Sequence, residues 1–361
     1  MDKNELAVLR SLVELIVAMQ ISTVLSPLST ENLRLAAQCG VEGYVARYPG
    51  PNYEDLLEVK QRVEEEGLKL VAIEGFLPIE KIKLGTDHDG AELEAMKQLI
   101  IHMGRAGVPV LCYNFMAGAD WVRTKLDVLE RGGARVTAFS LADAEKAVRL
   151  DHSGGEEFPD VKSDECISAD SLWKNLEDFL KAVVPVAEKA GVSLAMHPDD
   201  PPLGELFGNA RIMNSVENFE RLVDLVPSPS NGICFCQANF VAMGSDIPDA
   251  IRRLEKHVKY VHFRDVRGTA ESFVETFHDN GPTDMAESIR LLKEVGFDGP
   301  IRPDHVPQLE GEGNETRVIR CWVVCLPLAT FGDCYMALSM RVTHRLESQL
   351  LRRISPFAIN H

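Results

Sequence analysis

The chain has 361 residues, 45% of them hydrophobic, enough to bury a large core; the length suits one (β/α)8 TIM barrel with insertions. A formal net charge of −17 excludes nucleic-acid binding, which needs a basic face, and requires local cations to meet any anionic ligand. Eight cysteines without small-domain spacing read as reduced thiols of a cytoplasmic protein, not as a disulfide framework.

Residues 1–19 predict a helical extension. Leu6, Leu9, Leu12, Val13, Ile16 and Val17 follow helical spacing, while Asp2, Glu5 and Glu14 spoil a signal peptide. Strand-like and helix-like segments then alternate, the mark of a parallel sheet. QISTVLS is the first strand, with Ser29 or Thr30 capping a helix through Cys39; GYVAR is the second, followed by a charged helix near Tyr53–Glu66. LKLVAIEG is the third, with a helix from about Ala91 to Arg105 behind it, and VPVLCYNF is the fourth. Residues 117–170 break the rhythm with Gly132–Gly133, Gly154–Gly155 and many charges, and are expected to form a long excursion at the rim. A helix from Ser171 to Ala190 restores it. VSLAMH, GICFC, VKYVHF and GPIRP are then strands five to eight. The apolar stretch from Cys321 to Met340 contains Pro327 and Gly332–Asp333, which makes it a poor membrane span, so no membrane partner is expected.

The last four strands each end on a residue able to bind a metal: His197 in AMHPDDPP, Cys236 in GICFCQ, His262 in YVHFRDV and Asp304 in IRPDH. Successive members are 39, 26 and 42 residues apart, the span of one strand–helix unit, so adjacent strands can bring all four to one rim. A His/Cys/His/Asp set suits Mn²⁺, Fe²⁺, Co²⁺ or Zn²⁺ better than Mg²⁺ or Ca²⁺. Cys234 and Cys236 share a strand face; the outer one reaches the rim, which selects Cys236 and leaves Cys234 as core.

Around these lie the candidate substrate contacts. Arg264, one step beyond His262 on its face, would meet a substrate carboxylate or else pair with Asp265 or another acid. Arg302 shares a face with Asp304, and His305 either moves protons or orients the turn. Asp199 and Asp200 would support the ligand imidazoles, contact sugar hydroxyls or cap a turn. Asn114, Trp121 and Arg123 follow strand four, as substrate contacts or packing partners. His278, in ETFHDNG, sits on a loop able to cover the site.

AMHPDDPP, GICFC, YVHFRDV, FVETFHDNGPTDM and IRPDH, with YNFMAGADWVRT after strand four, resemble in order the motifs of the metal-dependent D-mannonate dehydratase family from about Gln20 to Gly313. The resemblance implies a xylose-isomerase-like barrel with an insertion after strand four, acting as a lyase. It would remove water from D-mannonate, a small sugar acid, to give 2-keto-3-deoxy-D-gluconate in hexuronate (glucuronate) catabolism. It also implies Mn²⁺ or Fe²⁺ on His197, Cys236, His262 and Asp304, and His305 as the catalytic acid/base. The segment 314–361 departs from the family's pattern, with no tyrosine before Tyr335. Two other readings stay open: a sugar isomerase of the same barrel type, against which a cysteine ligand speaks, and a metal-binding barrel impaired by its altered tail. Self-association into a homo-oligomer is also left open.

Overall fold

Eight short runs of buried residues make the central sheet: β1 (Gln20–Thr23), β2 (Gly43–Ala46), β3 (Lys69–Glu74), β4 (Val110–Tyr113), β5 (Ser193–Met196), β6 (Asn231–Cys236), β7 (Val258–His262) and β8 (Pro300–Arg302). The structure, a computed structural model, describes residues 19–146, 148–149 and 166–310. The helix expected over 1–19, the middle of the excursion and the atypical segment 314–361 lie outside the described residues.

All eight strands are parallel and close into a barrel in the order β1-β8-β7-β6-β5-β4-β3-β2. Closure is made by Gln20 pairing with Pro300 and Ile21 with Ile301. β2, β4 and β6 are buried along their whole length, because a parallel barrel is covered inside by its own side chains and outside by helices. Interior space selects residue size. A Cβ on Gly43 would stand 2.9 Å from both Val71 methyls, so β2 begins with the residue that lets β3 fill the layer.

The described α-helices are α1 (Thr30–Gln38), α2 (Tyr53–Glu64), α3 (Glu80–Leu84), α4 (Ala91–Ala106), α5 (Ala169–Ala190), α6 (Val216–Leu225), α7 (Gln237–Ala242), α8 (Ile247–Leu254) and α9 (Met285–Glu294). Local capping decides several starts. Ser29, Ser215, Asp246 and Asp284 each accept a hydrogen bond from the backbone N–H three residues on. α5 starts two residues before the expected Ser171, because Ser168 accepts from Ser171 N at 3.3 Å and therefore holds the cap position.

The excursion is not merely a loop. Lys125–Leu129 and Arg135–Ser140 form an antiparallel hairpin, which is continued by Ser272–Glu275 and Val266–Thr269, the hairpin that follows β7. Phe139, Phe273, Val266, Val122 and Leu206 pack beneath this sheet as a satellite core, so two insertions distant in sequence fold as one cover on the barrel mouth. The chain after β8 is stitched to the same sheet: Arg135 N donates to Gln308 O at 2.9 Å and Gln308 N to Arg135 O at 2.7 Å.

Gly104 marks the closest approach of α4 to α5. A Cβ there would lie 2.5 Å from the carbonyl oxygen of Ala190 and 2.8 Å from its Cβ. Glycine to alanine inside a helix ordinarily gains up to about 1 kcal/mol. Here overpacking against backbone, typically costing about 1–3 kcal/mol, outweighs that gain. Gly104→Ala is therefore expected to lower the unfolding free energy by about 1–2 kcal/mol in a denaturant titration; a stabilised variant would contradict this packing.

Candidate active site

The C-terminal ends of β5 to β8 meet at one point. Cys236 ends β6 and pairs in register with His262, which ends β7; His262 in turn pairs with Arg302 of β8, two residues before Asp304. His197 leaves β5 with its N–H bound to Tyr113 O at 2.7 Å. One donor atom from each of His197, Cys236, His262 and Asp304 lies within 4.8 Å of all the others. His197 Nε2 faces His262 Nδ1 at 3.1 Å, and Asp304 Oδ2 lies 3.5 Å from that Nδ1 and 3.9 Å from Cys236 Sγ. Cys234 sits one layer deeper, grouped with Cys112 and His262.

The electrostatics suit a cation. Burial opposes ionisation of the Cys236 thiol, yet Arg264 and His197 beside it bring its pKa down to about 6, toward the thiolate that metals bind. Burial and Arg302 disfavour charge on His262, but Glu74 and Asp304 outweigh them and hold its pKa well above the ordinary value. His197 rises to about 9 against burial, through Cys236. Positive charge is thus wanted where the donors converge, and a divalent ion would supply it in place of protons. Two borderline nitrogens, a thiolate and a carboxylate fit such an ion.

Behind the donors lies a buried ionic network. Arg264 gives Nε to Asp304 (2.7 Å), one terminal nitrogen to both oxygens of Glu275 (2.7 and 2.8 Å) and the other to Asp200 (2.7 Å) and Asn239 (2.5 Å). Arg123 binds Asp200 at 2.7 and 3.0 Å, Glu275 at 2.6 Å and His305 Nδ1 at 3.2 Å. Glu74, at the end of β3, accepts from Arg302 at 2.7 Å and lies 3.3 Å from His262 Nε2.

These contacts sort the expected site residues. Asn114, Trp121, Arg302, His305 and Asp200 line the same pocket as His197, His262 and Asp304. His305 therefore faces the site rather than turning away from Asp304, with Nε2 3.7 Å from Asp304 Oδ2. Burial holds its pKa below the ordinary value despite Asp304 and Glu275, which leaves a neutral ring. Trp121 packs against it, ring centroids 4.1 Å apart with the planes tilted by 33°.

Arg264, Arg123, Asp199 and His278 do not line the pocket. Arg264 pairs with acids, though not with Asp265, and has no nitrogen left for a carboxylate of a substrate. Arg123 is wholly buried by the same pairing. Asp199 accepts from Met213 N at 2.7 Å and shapes the loop after β5; burial raises its pKa to about 6 against the nearby Arg211. His278 is buried near Asp304 and Glu275, its pKa lowered to about 4 by desolvation.

Sequence reasoning passed over Glu74, Glu275, Arg47 and Lys83. Glu74 had a visible signal, a lone acid ending the apolar strand LKLVAIEG. Glu275 lies inside FVETFHDNGPTDM, three residues before His278. In that motif Glu275 binds both arginines, Gly281 leaves room for Asp265 and Asp284 caps α9.

A parallel eight-strand barrel with its convergent donors at the C-terminal rim belongs to the xylose-isomerase-like class. Solved structures of a xylose isomerase domain protein from Planctomyces limnophilus (15% identity, TM-score 0.53, covering 88% of this chain and 97% of that one) and of a D-tagatose 3-epimerase-like protein (14%, 0.56, 90% and 100%) share that fold. Closer relatives narrow the class. The family model described as D-mannonate dehydratase (UxuA) matches residues 26–318. The mannonate dehydratase of Streptococcus equi subsp. zooepidemicus is 35% identical over 336 residues, 86% of this chain and 91% of that protein. The crystal structure of mannonate dehydratase from Streptococcus suis serotype 2 matches at 32% identity with TM-score 0.81, covering 91% of this chain and 95% of that chain. The chain belongs to the D-mannonate dehydratase family, metal-dependent enzymes of the lyase class.

Depth in β6 separates its two thiols. Cys236→Ser is expected to weaken Mn²⁺ binding by at least the roughly 10–100-fold that follows loss of a supporting group around a metal ligand. Cys234→Ser should leave it nearly unchanged. Metal content after desalting measures both, and equal effects would contradict the placement of Cys236 in the donor set.

Proposed function

We propose that this chain removes water from D-mannonate to give 2-keto-3-deoxy-D-gluconate in hexuronate breakdown, using Mn²⁺ or Fe²⁺ held by His197, Cys236, His262 and Asp304. One observation carries the reading: four donors of that chemistry converge within 4.8 Å beside the imidazole of His305, which lines the same pocket. The free thiols of Cys39, Cys112, Cys166, Cys234 and Cys236 support a cytoplasmic setting. No described helix is long and apolar enough to cross a membrane.

The difficulty of the reaction is the weak acidity of the proton on C2, next to a carboxylate. A bound divalent ion would supply Lewis acidity, stabilising the negative charge that builds on the carboxylate oxygens. The chain's own residues handle the proton. His305 Nδ1 is engaged by Glu275 at 3.0 Å and approached by Arg123, so Nε2 is the nitrogen left to face the substrate. In this reading Nε2 takes the C2 proton. The resulting imidazolium is stabilised by Glu275, which burial alone would not allow. The same proton then passes to the C3 hydroxyl as its C–O bond breaks, so water leaves and the ring returns to neutral. The enol that remains becomes the 2-keto product. Trp121 packs against the ring and keeps water from one side of it, while Asn114 and Arg302, each bonded to neighbouring protein groups, shape the pocket wall.

His305→Asn is expected to keep its metal and to lose about 10²–10⁴-fold in kcat, the usual contribution of an acid–base group. The assay is formation of the 2-keto-3-deoxy acid from D-mannonate with Mn²⁺, alongside metal analysis. Near-parental turnover would remove His305 from the chemistry, and a parent inactive on D-mannonate would refute the reading as a whole.

A further inference from the structure

We propose that Arg47 grips the end of the substrate remote from the reacting carbons, carbons four to six of a hexonate, by hydrogen bonds to its hydroxyls. The assignment rests on the sugar-acid reading above. Arg47 follows β2 directly and lines the same pocket as His197, His262, Asp304 and His305. It stands across Glu74 from the metal donors: Glu74 Oε2 lies 3.3 Å from His262 Nε2, while Oε1 lies 2.7 Å from Arg302 and 3.7 Å from Arg47.

The terminal nitrogens of the other lysine and arginine side chains on this pocket are committed; of those side chains only the buried Nε of Arg302 lacks a partner among the described residues. Lys83 Nζ is spent on Asn114 Oδ1 (3.0 Å), Met116 O (3.1 Å) and Glu80 (3.2 Å). Arg302 spends its terminal nitrogens on Glu74 (2.7 Å) and Asp304 (2.9 Å). Arg47 gives one terminal nitrogen to Glu74 O at 3.2 Å, and its Nε and second terminal nitrogen have no partner among the described residues. Its side chain keeps 21% of its surface open. A planar fork of spare donors is matched by adjacent hydroxyl oxygens.

The backbone opposite Arg47 is built to leave it room. Gly75 has φ +83°, and a Cβ there would lie 3.0 Å from an Arg47 terminal nitrogen and 3.4 Å from Cδ. Phe76, next in the chain, holds φ +57°, a conformation that costs any residue bearing a side chain. Its ring also lines the pocket, 5.8 Å from the Arg47 guanidinium carbon. Two consecutive residues after β3 thus take left-handed geometry around one arginine, and strain of that sort gathers at ligand-binding positions.

The ligand end follows from charge and from where the chemistry must occur. The carboxylate and carbons two and three belong beside His305 and the converging donors. Glu74 already offsets much of the Arg47 charge and would repel an anion drawn to it, which favours uncharged hydroxyls.

Arg47→Met keeps the stem and removes the donors. We expect KM for D-mannonate to rise roughly 10–100-fold, the value of a charge-assisted hydrogen bond pair, with kcat within about threefold. KM for the four-carbon aldonate, which lacks carbons five and six, should change far less. Direct binding of D-mannonate, measured by calorimetry in the Mn²⁺-loaded His305→Asn background where turnover does not consume it, should weaken by the same factor as KM. Unchanged KM and binding in Arg47→Met would overturn the assignment alone, as would an equal penalty on the four-carbon acid, which would place Arg47 at the carboxylate. A parent that neither binds nor converts D-mannonate would overturn it together with the sugar-acid reading.

Discussion

The barrel mouth depends on one side chain, Arg264. It is 1% exposed, and its nitrogens reach Asp304 beyond β8, Glu275 on the rim hairpin, Asp200 after β5 and Asn239 in α7. A guanidinium taken this far from water is tolerable only when fully paired, since removing one partner of a buried pair costs about 3–5 kcal/mol. Four separate segments are therefore obliged to meet at one place. The arrangement fixes Asp304 from behind, so its other contacts, to His262 and Cys236, have a defined geometry without help from a flexible loop.

The same network sets the charge of the site. Glu74, Asp200, Glu275 and Asp304 stand against Arg47, Arg123, Arg264 and Arg302, four charges of each sign. Burial opposes ionisation of Asp304, but His305, Arg302 and His262 hold its pKa well below the usual carboxylate range. With Cys236 as thiolate, one negative charge is left for a bound cation to offset. Neutral His305 complements this. Its proton-accepting atom is kept free because Glu275 engages the opposite nitrogen.

The eight strands and the four converging donors were legible because both follow from periodicity: a buried parallel strand is a short apolar run, and its last residue is at the rim. Cys236 could be separated from Cys234 by counting along one strand. The supporting groups were not legible in the same way. Arg264 and Arg123 look identical in sequence whether they face a substrate or a carboxylate, and the choice is made by residues 11 to 152 positions away, such as Glu275. The rim sheet was hidden for a related reason. Its strands alternate exposed and half-buried residues in one segment and depend on a hairpin far down the chain for partners, so no local pattern announces them. Glu74 is the exception, an acid at a strand end that could have been read.

The seam between β1 and β8 has a kinetic meaning. Ser22 Oγ donates to Ile301 O at 3.1 Å, joining residues 279 positions apart, and the Gln20–Pro300 pairing sits on the same seam. Loop-closure entropy makes so distant a contact among the slowest to form. Until β8 docks, Asp304 and His305 are absent from the mouth, and Arg264 and His262 lack a principal acid. The donor set is therefore complete only once β8 has docked. A nascent chain carrying seven strands would hold nearly all of the fold's apolar surface in place, yet own neither a complete metal cluster nor an acid–base residue.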